Sequence, residues 1–483
     1  MKHQRPYNII TSVIVISLLA GCAVGPNFKR PPTPAVEAYT ATPLSAFTAA
    51  TPTTLGGSQR LVEGVPVNPQ WWRELGSANL NALIDDALQT SPTLAEAQAR
   101  LRQAEESYAA QAGSTLYPQA DASLGGQRQR FNPSSSGLPG NAREFSLYNA
   151  NAGVRYTFDL AGGNRRALEA LVARSDYQRY QLDGARQTLV ANIVTTAVTQ
   201  ARLAGQIQTS ETILQAQEEQ LELTRTRVRL GQAAANEVLP LQIQVEQTRA
   251  GIPLLRSQLQ QSEHLLAVLA GRAPGVAGLP SFSLPEFRLP AALPLIVPTE
   301  LVRTRPDIQA AEALLHAANA EYGVAVAKLY PQLNLSANLG SQALTTGALF
   351  GSGSAIWSLV GQLTQPLFNP GLPAEKRAAL AAFDAAAANY QGVVLEALRN
   401  VADVLRALEN DAQRLIALAA ADAAAQGSLE SMQRQYTLGT ASYVQLLIAQ
   451  QQSQQTRIDL IAAQAQRLVD SALLYQAMGW ANG

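Results

Sequence analysis

The sequence predicts a mixed α and transmembrane β chain in which long coiled-coil helices alternate with four membrane-crossing strands. Three observations predict it. The chain is written twice; its strand segments alternate apolar and polar residues over about ten positions, enough to cross a bilayer when tilted; and its helical segments run proline-free for many turns.

The duplication is ungapped over its best stretch. Leu230-Gly231, Val238-Leu239 and Gly271 recur as Leu438-Gly439, Leu446-Leu447 and Gly479, each at an offset of 208 (439 − 231, 447 − 239, 479 − 271). Earlier, Tyr117-Pro118-Gln119 recurs as Tyr330-Pro331-Gln332, and helical stretches open near Pro92 and Pro306. Such a period is too long for a solenoid and marks an ancient duplication. The predicted organisation is a signal segment over 1–21, a lipidated linker over 22–79, a first repeat over 80–272, a Pro-rich connector over 273–299 and a second repeat over 300–483. Prolines at 280, 285, 290 and 294 forbid a helix in the connector.

Strands are expected at about 118–130, 145–160, 332–342 and 356–367. In the second, Tyr148, Ala150, Ala152, Val154, Tyr156, Phe158 and Leu160 share one face, while Asn149, Asn151, Arg155, Thr157 and Asp159 share the other. Leu333, Leu335, Ala337 and Leu339, then Trp357, Leu359 and Leu363, alternate in the same way. A sheet in hydrocarbon tolerates no open edge and the smallest barrels have about eight strands, so four per chain close only if several chains contribute.

From about Asn164 to Arg229 an unbroken helix would reach roughly 100 Å at 1.5 Å per residue. Ile207, Leu214, Leu221 and Val228 form a heptad seam; the returning helix offers Val245, Ile252, Leu259 and Leu266 at one position and Leu241, Leu255 and Leu269 at the other. Pro253 should kink it. The second half repeats the theme from Pro373 to Tyr436 and through Ile458, Ile461, Leu468 and Tyr475. Gly231 and Gly439 terminate the outgoing helices, placing hairpin tips near 230–237 and 438–445.

At the N-terminus, Lys2 and Arg5 precede an apolar stretch from about Ile9 to Ala20, and Leu19-Ala20-Gly21-Cys22 carries the only cysteine. This is an export signal with a lipoprotein cleavage site, so Cys22 is the expected lipid attachment residue. Ala23 in place of aspartate directs the mature chain to the outer membrane.

With 36 basic and 36 acidic residues the net charge is zero, and no nucleic-acid partner is implied. No Gly-rich phosphate loop or Gly-x-Ser-x-Gly elbow is present, so an enzyme is not expected. No cysteine cluster exists, and His264 and His316 read as packed or solvated helix residues, so no metal or cofactor is expected either.

Gly21-Cys22-Ala23-Val24-Gly25-Pro26-Asn27-Phe28 with Pro31, Trp71-Trp72, Arg305-Pro306-Asp307-Ile308 with Ala311-Glu312, Pro366-Leu367-Phe368 with Gly371, and Tyr436 with Gly439 span nearly the whole chain. Together they resemble the outer-membrane factor family of TolC-like channels, specifically the lipoprotein branch serving resistance-nodulation-division tripartite efflux. The resemblance implies a homotrimer with a twelve-stranded outer-membrane β-barrel continued by a helical coiled-coil barrel. It implies outward conduction of drugs or other small solutes, a periplasmic adaptor and an inner-membrane RND-type pump as partners, and antibiotic resistance. The implied lipid on Cys22 is an S-diacylglycerol with an N-palmitoyl chain, and Gly231 and Gly439 fall at the adaptor-docking tips. Where some relatives carry gate aspartates, this chain has Gln445 and Ile448. The residues there read either as an apolar gate built from Val444, Leu447 and Ile448 or as side chains that only pack the hairpin, with Glu237, the repeat-mate of Gln445 (445 − 237 = 208), as a source of charge or a complement to the helix dipole. A periplasm-spanning structural or adaptor lipoprotein and a type I secretion duct are the competing readings.

Overall fold

The computed structural model describes residues 23–33, 35–137 and 139–480. The signal segment and Cys22 lie outside the described residues. In chain order the elements are β1 (Arg60–Glu63), α1 (Ala78–Thr90), α2 (Pro92–Leu116), β2 (Gln119–Phe131), β3 (Arg143–Phe158), α3 (Gly163–Arg229), α4 (Val238–Leu269), β4 (Ala292–Leu295), α5 (Pro298–Thr304), α6 (Pro306–Ala327), β5 (Gln332–Ala343), β6 (Ala355–Thr364), α7 (Gly371–Thr437) and α8 (Tyr443–Met478). The duplication is visible in the elements themselves. Helices α3 and α7 are both 67 residues long, and their starts lie 371 − 163 = 208 residues apart.

The chain forms two compact units, each built from both repeats. The first holds residues up to Pro31, Arg100–Gln178 and Ala311–Tyr390; the second holds Pro32–Ala99, Arg179–Ala310 and Gln391–Gly483.

In the first unit β2, β3, β5 and β6 form one antiparallel sheet in that order, so β2 and β6 each leave an edge unpaired within the chain. Register aligns the expected faces. Ala122, Ala152, Leu339 and Trp357 stand in one row, and Ala120, Val154, Ala337 and Leu359 in the next. This apolar face is bare in the single chain: Leu124 is 82% exposed and Trp357 79%. Two strand ends fall short of expectation. β3 stops at Phe158 because the Asp159 carboxylate accepts the amides of Asn164 (3.0 Å) and Arg165 (2.8 Å), capping α3 instead of extending the ladder. β6 stops at Thr364, short of 367, because Pro366 has no amide to donate.

In the second unit the N-terminal linker and the Pro-rich connector pair with each other: β1 and β4 form a parallel ladder from Arg60↔Ala292 to Glu63↔Leu295. Trp71, fully buried, stacks on Tyr475 at 4.7 Å, and the Tyr475 hydroxyl donates to Glu74 (2.7 Å). The expected seam residues Ile207, Leu221, Leu241, Val245, Ile252, Leu266, Ile461, Leu468 and Tyr475 are buried. A second buried row was missed because it is largely polar: Leu203, Ser210, Gln217 and Thr224 also recur every seven residues, and Thr248 and Ser262 occupy buried positions on α4. Helix α4 runs on through Pro253. Among the described residues, no helix is long and apolar enough to cross a membrane.

Candidate functional site

Three places carry functional geometry. The first is the wet face of the sheet, opposite the apolar one. It presents Asn149, Asn151, Asn334, Asn338, Ser336, Ser358 and Gln362. Thr157 donates to Asn334 (2.7 Å), and the Arg155–Asp121 pair (3.5 Å) neutralises itself. Most of this surface is polar and it offers little net charge, although Ile356 and Val360 of β6 stand on the same face.

The second place is the start of the described chain, held entirely within the first unit. The Val24 amide donates to the Ala161 carbonyl (2.9 Å), and Ala23 sits so close to Gly162 (φ +75°) that a Cβ there would lie 2.5 Å from it. The buried Arg166 guanidinium donates to the Val24 carbonyl (3.3 Å), the Gly25 carbonyl (3.2 Å) and Asn27 (2.8 Å), and pairs with Glu169 (2.7 Å). His316 Nε2 meets Glu169 at 2.9 Å, its ring stacks on Phe28 at 4.4 Å, and Asn319 donates to the Pro26 carbonyl (3.0 Å). Burial alone would raise the Glu169 carboxyl; the hydrogen bonds from His316 and Arg166 outweigh it and hold the group below its ordinary range. Residues Gly25 to Phe28 are thus a docking sequence, and Arg166 and Glu169 are partners that the sequence reading did not find. Their only signal was charge on the first turns of a long helix. Ala23 is one peptide bond from Cys22, itself outside the described residues.

The third place is the pair of hairpin ends in the second unit. Gly231 (φ +69°) and Gly439 (φ +75°) adopt the left-handed conformation that ends each outgoing helix. Tyr443 is buried with Leu221, Leu241 and Val245, and Leu214, Val238, Tyr436 and Leu447 pack against that cluster. Leu447 therefore joins the packing between hairpins, while Val444 (60% exposed) and Ile448 (49%) stand free of it in the single chain. Gln445 Oε1 accepts the Ser442 amide (2.8 Å), capping α8. Glu237 accepts the Ala234 amide (3.3 Å) and the Tyr436 hydroxyl (3.0 Å), tying one hairpin end to the other. Burial first, and then this bond to Glu237, raise the Tyr436 phenol above its ordinary value. Among the described residues no group of three or more His, Cys, Asp or Glu could hold a metal ion.

Comparison with known proteins agrees with this geometry. Residues 83–272 and 297–480 match the family described as outer membrane efflux protein. Outer membrane protein OprJ of Pseudomonas aeruginosa is 26% identical over 485 residues, covering 99% of this chain and 98% of that protein. Pyoverdine export outer membrane protein OpmQ of the same organism is 32% identical over 422 residues, covering 85% and 87%. The solved structure of the outer-membrane channel OprN superposes with a TM-score of 0.85 at 25% identity, covering 95% of this chain and 99% of that one. The chain belongs to the outer membrane efflux protein family and is an outer-membrane efflux channel.

Proposed function

We propose that three copies of this chain close a twelve-stranded barrel and continue inward as a helical tunnel that conducts small solutes to the exterior. The observation that carries the reading is the four-stranded sheet with one continuous apolar face and both edges unpaired. Unpaired backbone groups cost several kcal/mol each in hydrocarbon, so β6 of one copy must meet β2 of the next. Relatives named for pyoverdine export and toluene efflux indicate the range of cargo. Energy would come from an inner-membrane RND-type pump reached through a periplasmic adaptor at the Gly231 and Gly439 ends. Cys22 would carry the lipid: the clamp on Val24 to Phe28 holds Ala23 at the turn after β3, where the sheet leaves the membrane.

The gate would lie at the hairpin ends, where exposed Val444 and Ile448 would meet their counterparts and close the passage by dewetting. Single cysteines on the outer edges of β2 and β6 should crosslink purified protein to a trimer under oxidation. Dimers alone, or no crosslink, would sink the barrel. In planar bilayers the wild type should respond weakly to periplasmic divalent cations, and Gln445→Asp with Ile448→Asp should introduce blockade. Strong blockade of the wild type, unchanged by those substitutions, would rule out an apolar gate.

A further inference from the structure

The wet face of the sheet carries a repeated pairing that alternation of residues does not require. Gly125 stands opposite Asn149, Gly153 opposite Asn338 and Gly340 opposite Asn151. In each pair the asparagine amide occupies the space where the partner's side chain would begin. A Cβ on Gly125 would lie 2.4 Å from Asn149 Oδ1, one on Gly153 would lie 2.7 Å from Asn338 Oδ1, and one on Gly340 would lie 2.1 Å from Asn151 Oδ1. The amides therefore lie over the neighbouring glycines; Asn149 and Asn151 are half-buried although they lie on the polar face, while Asn338 is exposed and its amide nitrogen also donates to Ser358 on the other side (3.5 Å).

We propose that these Gly–Asn pairs set the bore of the barrel: the glycines let the asparagines lie flat, so that the wall admits solutes by size and presents neutral amides rather than charge. The inference rests on the barrel reading above, which turns the polar face to the lumen. A flat amide keeps the wall wetted at little more than backbone height, and three pairs in every copy repeat the effect around the ring. Fixed charge adds no selection at this level, because the Asp121–Arg155 pair cancels itself. The solutes favoured are bulky and of either sign.

Gly125 and Gly153 are the positions to test, because the atoms a Cβ would strike there belong to the ends of flexible asparagine side chains; at Gly340 it would also strike the Ala150 carbonyl, 2.4 Å away. An alanine at the first two should push the amides off the wall without breaking the ladder. A thiol introduced by Gln362→Cys, on the polar face and deeper than both pairs, can be labelled from outside intact cells with poly(ethylene glycol) maleimides of graded mass. Adding Gly125→Ala and Gly153→Ala should lower the largest polymer that labels, and adding Asn149→Ala and Asn338→Ala to those should restore it. An unchanged cut-off in the alanine pair, or no restoration, would overturn the inference. Should the Gly→Ala chains fail to assemble, Asn149→Ala with Asn338→Ala in the native glycine background decides: an unchanged cut-off supports flat amides, and a clear rise overturns them. If even the smallest maleimide cannot reach Gln362→Cys in assembled protein, the barrel reading falls and this inference with it.

Discussion

The two helical hairpins descend from one ancestor and end in the same turn, yet they are braced differently. Gly231 donates to Val228 and Gln232 to Arg227; Gly439 donates to Tyr436 and Thr440 to Gln435, the same pair of bonds 208 residues on (439 − 231). Beyond the turn the repeats diverge. Where α8 opens with the buried Tyr443, the first hairpin has Ala235 (443 − 208), and where the second hairpin caps with neutral Gln445, the first uses Glu237, which also reaches Tyr436. Farther along, buried Arg467 and Asp470 of α8 correspond to Leu259 and Ser262 of α4 (467 − 208 and 470 − 208). A shared turn needs only backbone geometry, whereas bracing depends on what each helix faces.

The sharpest way to break this contrast is to erase it at Tyr443. Tyr443→Ala makes the second hairpin resemble the first and should cost about 3 kcal/mol of stability, as large aromatic truncations in a packed site do. A loss within experimental error in chemical denaturation would show that the cluster does not depend on that ring.

The second contrast is in pH response. Burial, reinforced by the neighbouring Asp411, raises the Asp470 carboxyl to about 7, although Gln466 and Arg467 pull it down. Its folded-state value thus lies above the unfolded 3.8, so the associated stability is full below pH 4 and is lost as pH rises through about 7. Asp470→Asn should flatten the melting profile between pH 5 and 8, and Ser262→Asn in the other hairpin should not change its slope. Equal slopes for wild type and Asp470→Asn would refute the assignment.

Gly231→Ala and Gly439→Ala probe what the hairpins share. Each forces a side chain into a left-handed position at about 1–2 kcal/mol, and the two losses should agree, since nothing lies within 4 Å of either Cβ site. Unequal losses would mean that the turns differ after all. The smallest effect is expected from Glu237→Gln, which keeps the geometry but removes charge from the bond to Tyr436, for about 1 kcal/mol. The Tyr436 phenol should then titrate closer to its ordinary value, measurable by phenolate absorbance.

Strand alternation was legible because lipid and water on opposite faces demand strict period two, and the residues from Tyr148 to Phe158 obey it. The 67-residue helices were legible because proline is absent from the body of both. The row Ser210, Gln217, Thr224 was not, since a polar residue at heptad spacing reads as surface until neighbouring helices enclose it. The sites divide in the same way. Gly231 and Gly439 declared themselves by type, whereas Leu447 and Val444, three residues apart, could be told apart only by what covers them.

Local chemistry and periodicity, written in the sequence alone, therefore determined the duplication, the strand and helix types, the turn glycines and the need for several chains to close a sheet. Only the tertiary structure decided that the two connectors pair as β1 and β4, that Arg166 and His316 clamp the N-terminal segment, and that asparagines fold over glycines on the next strand. Those contacts join separate segments of the chain through one short ladder, individual hydrogen bonds and close approaches, which leave no period to read.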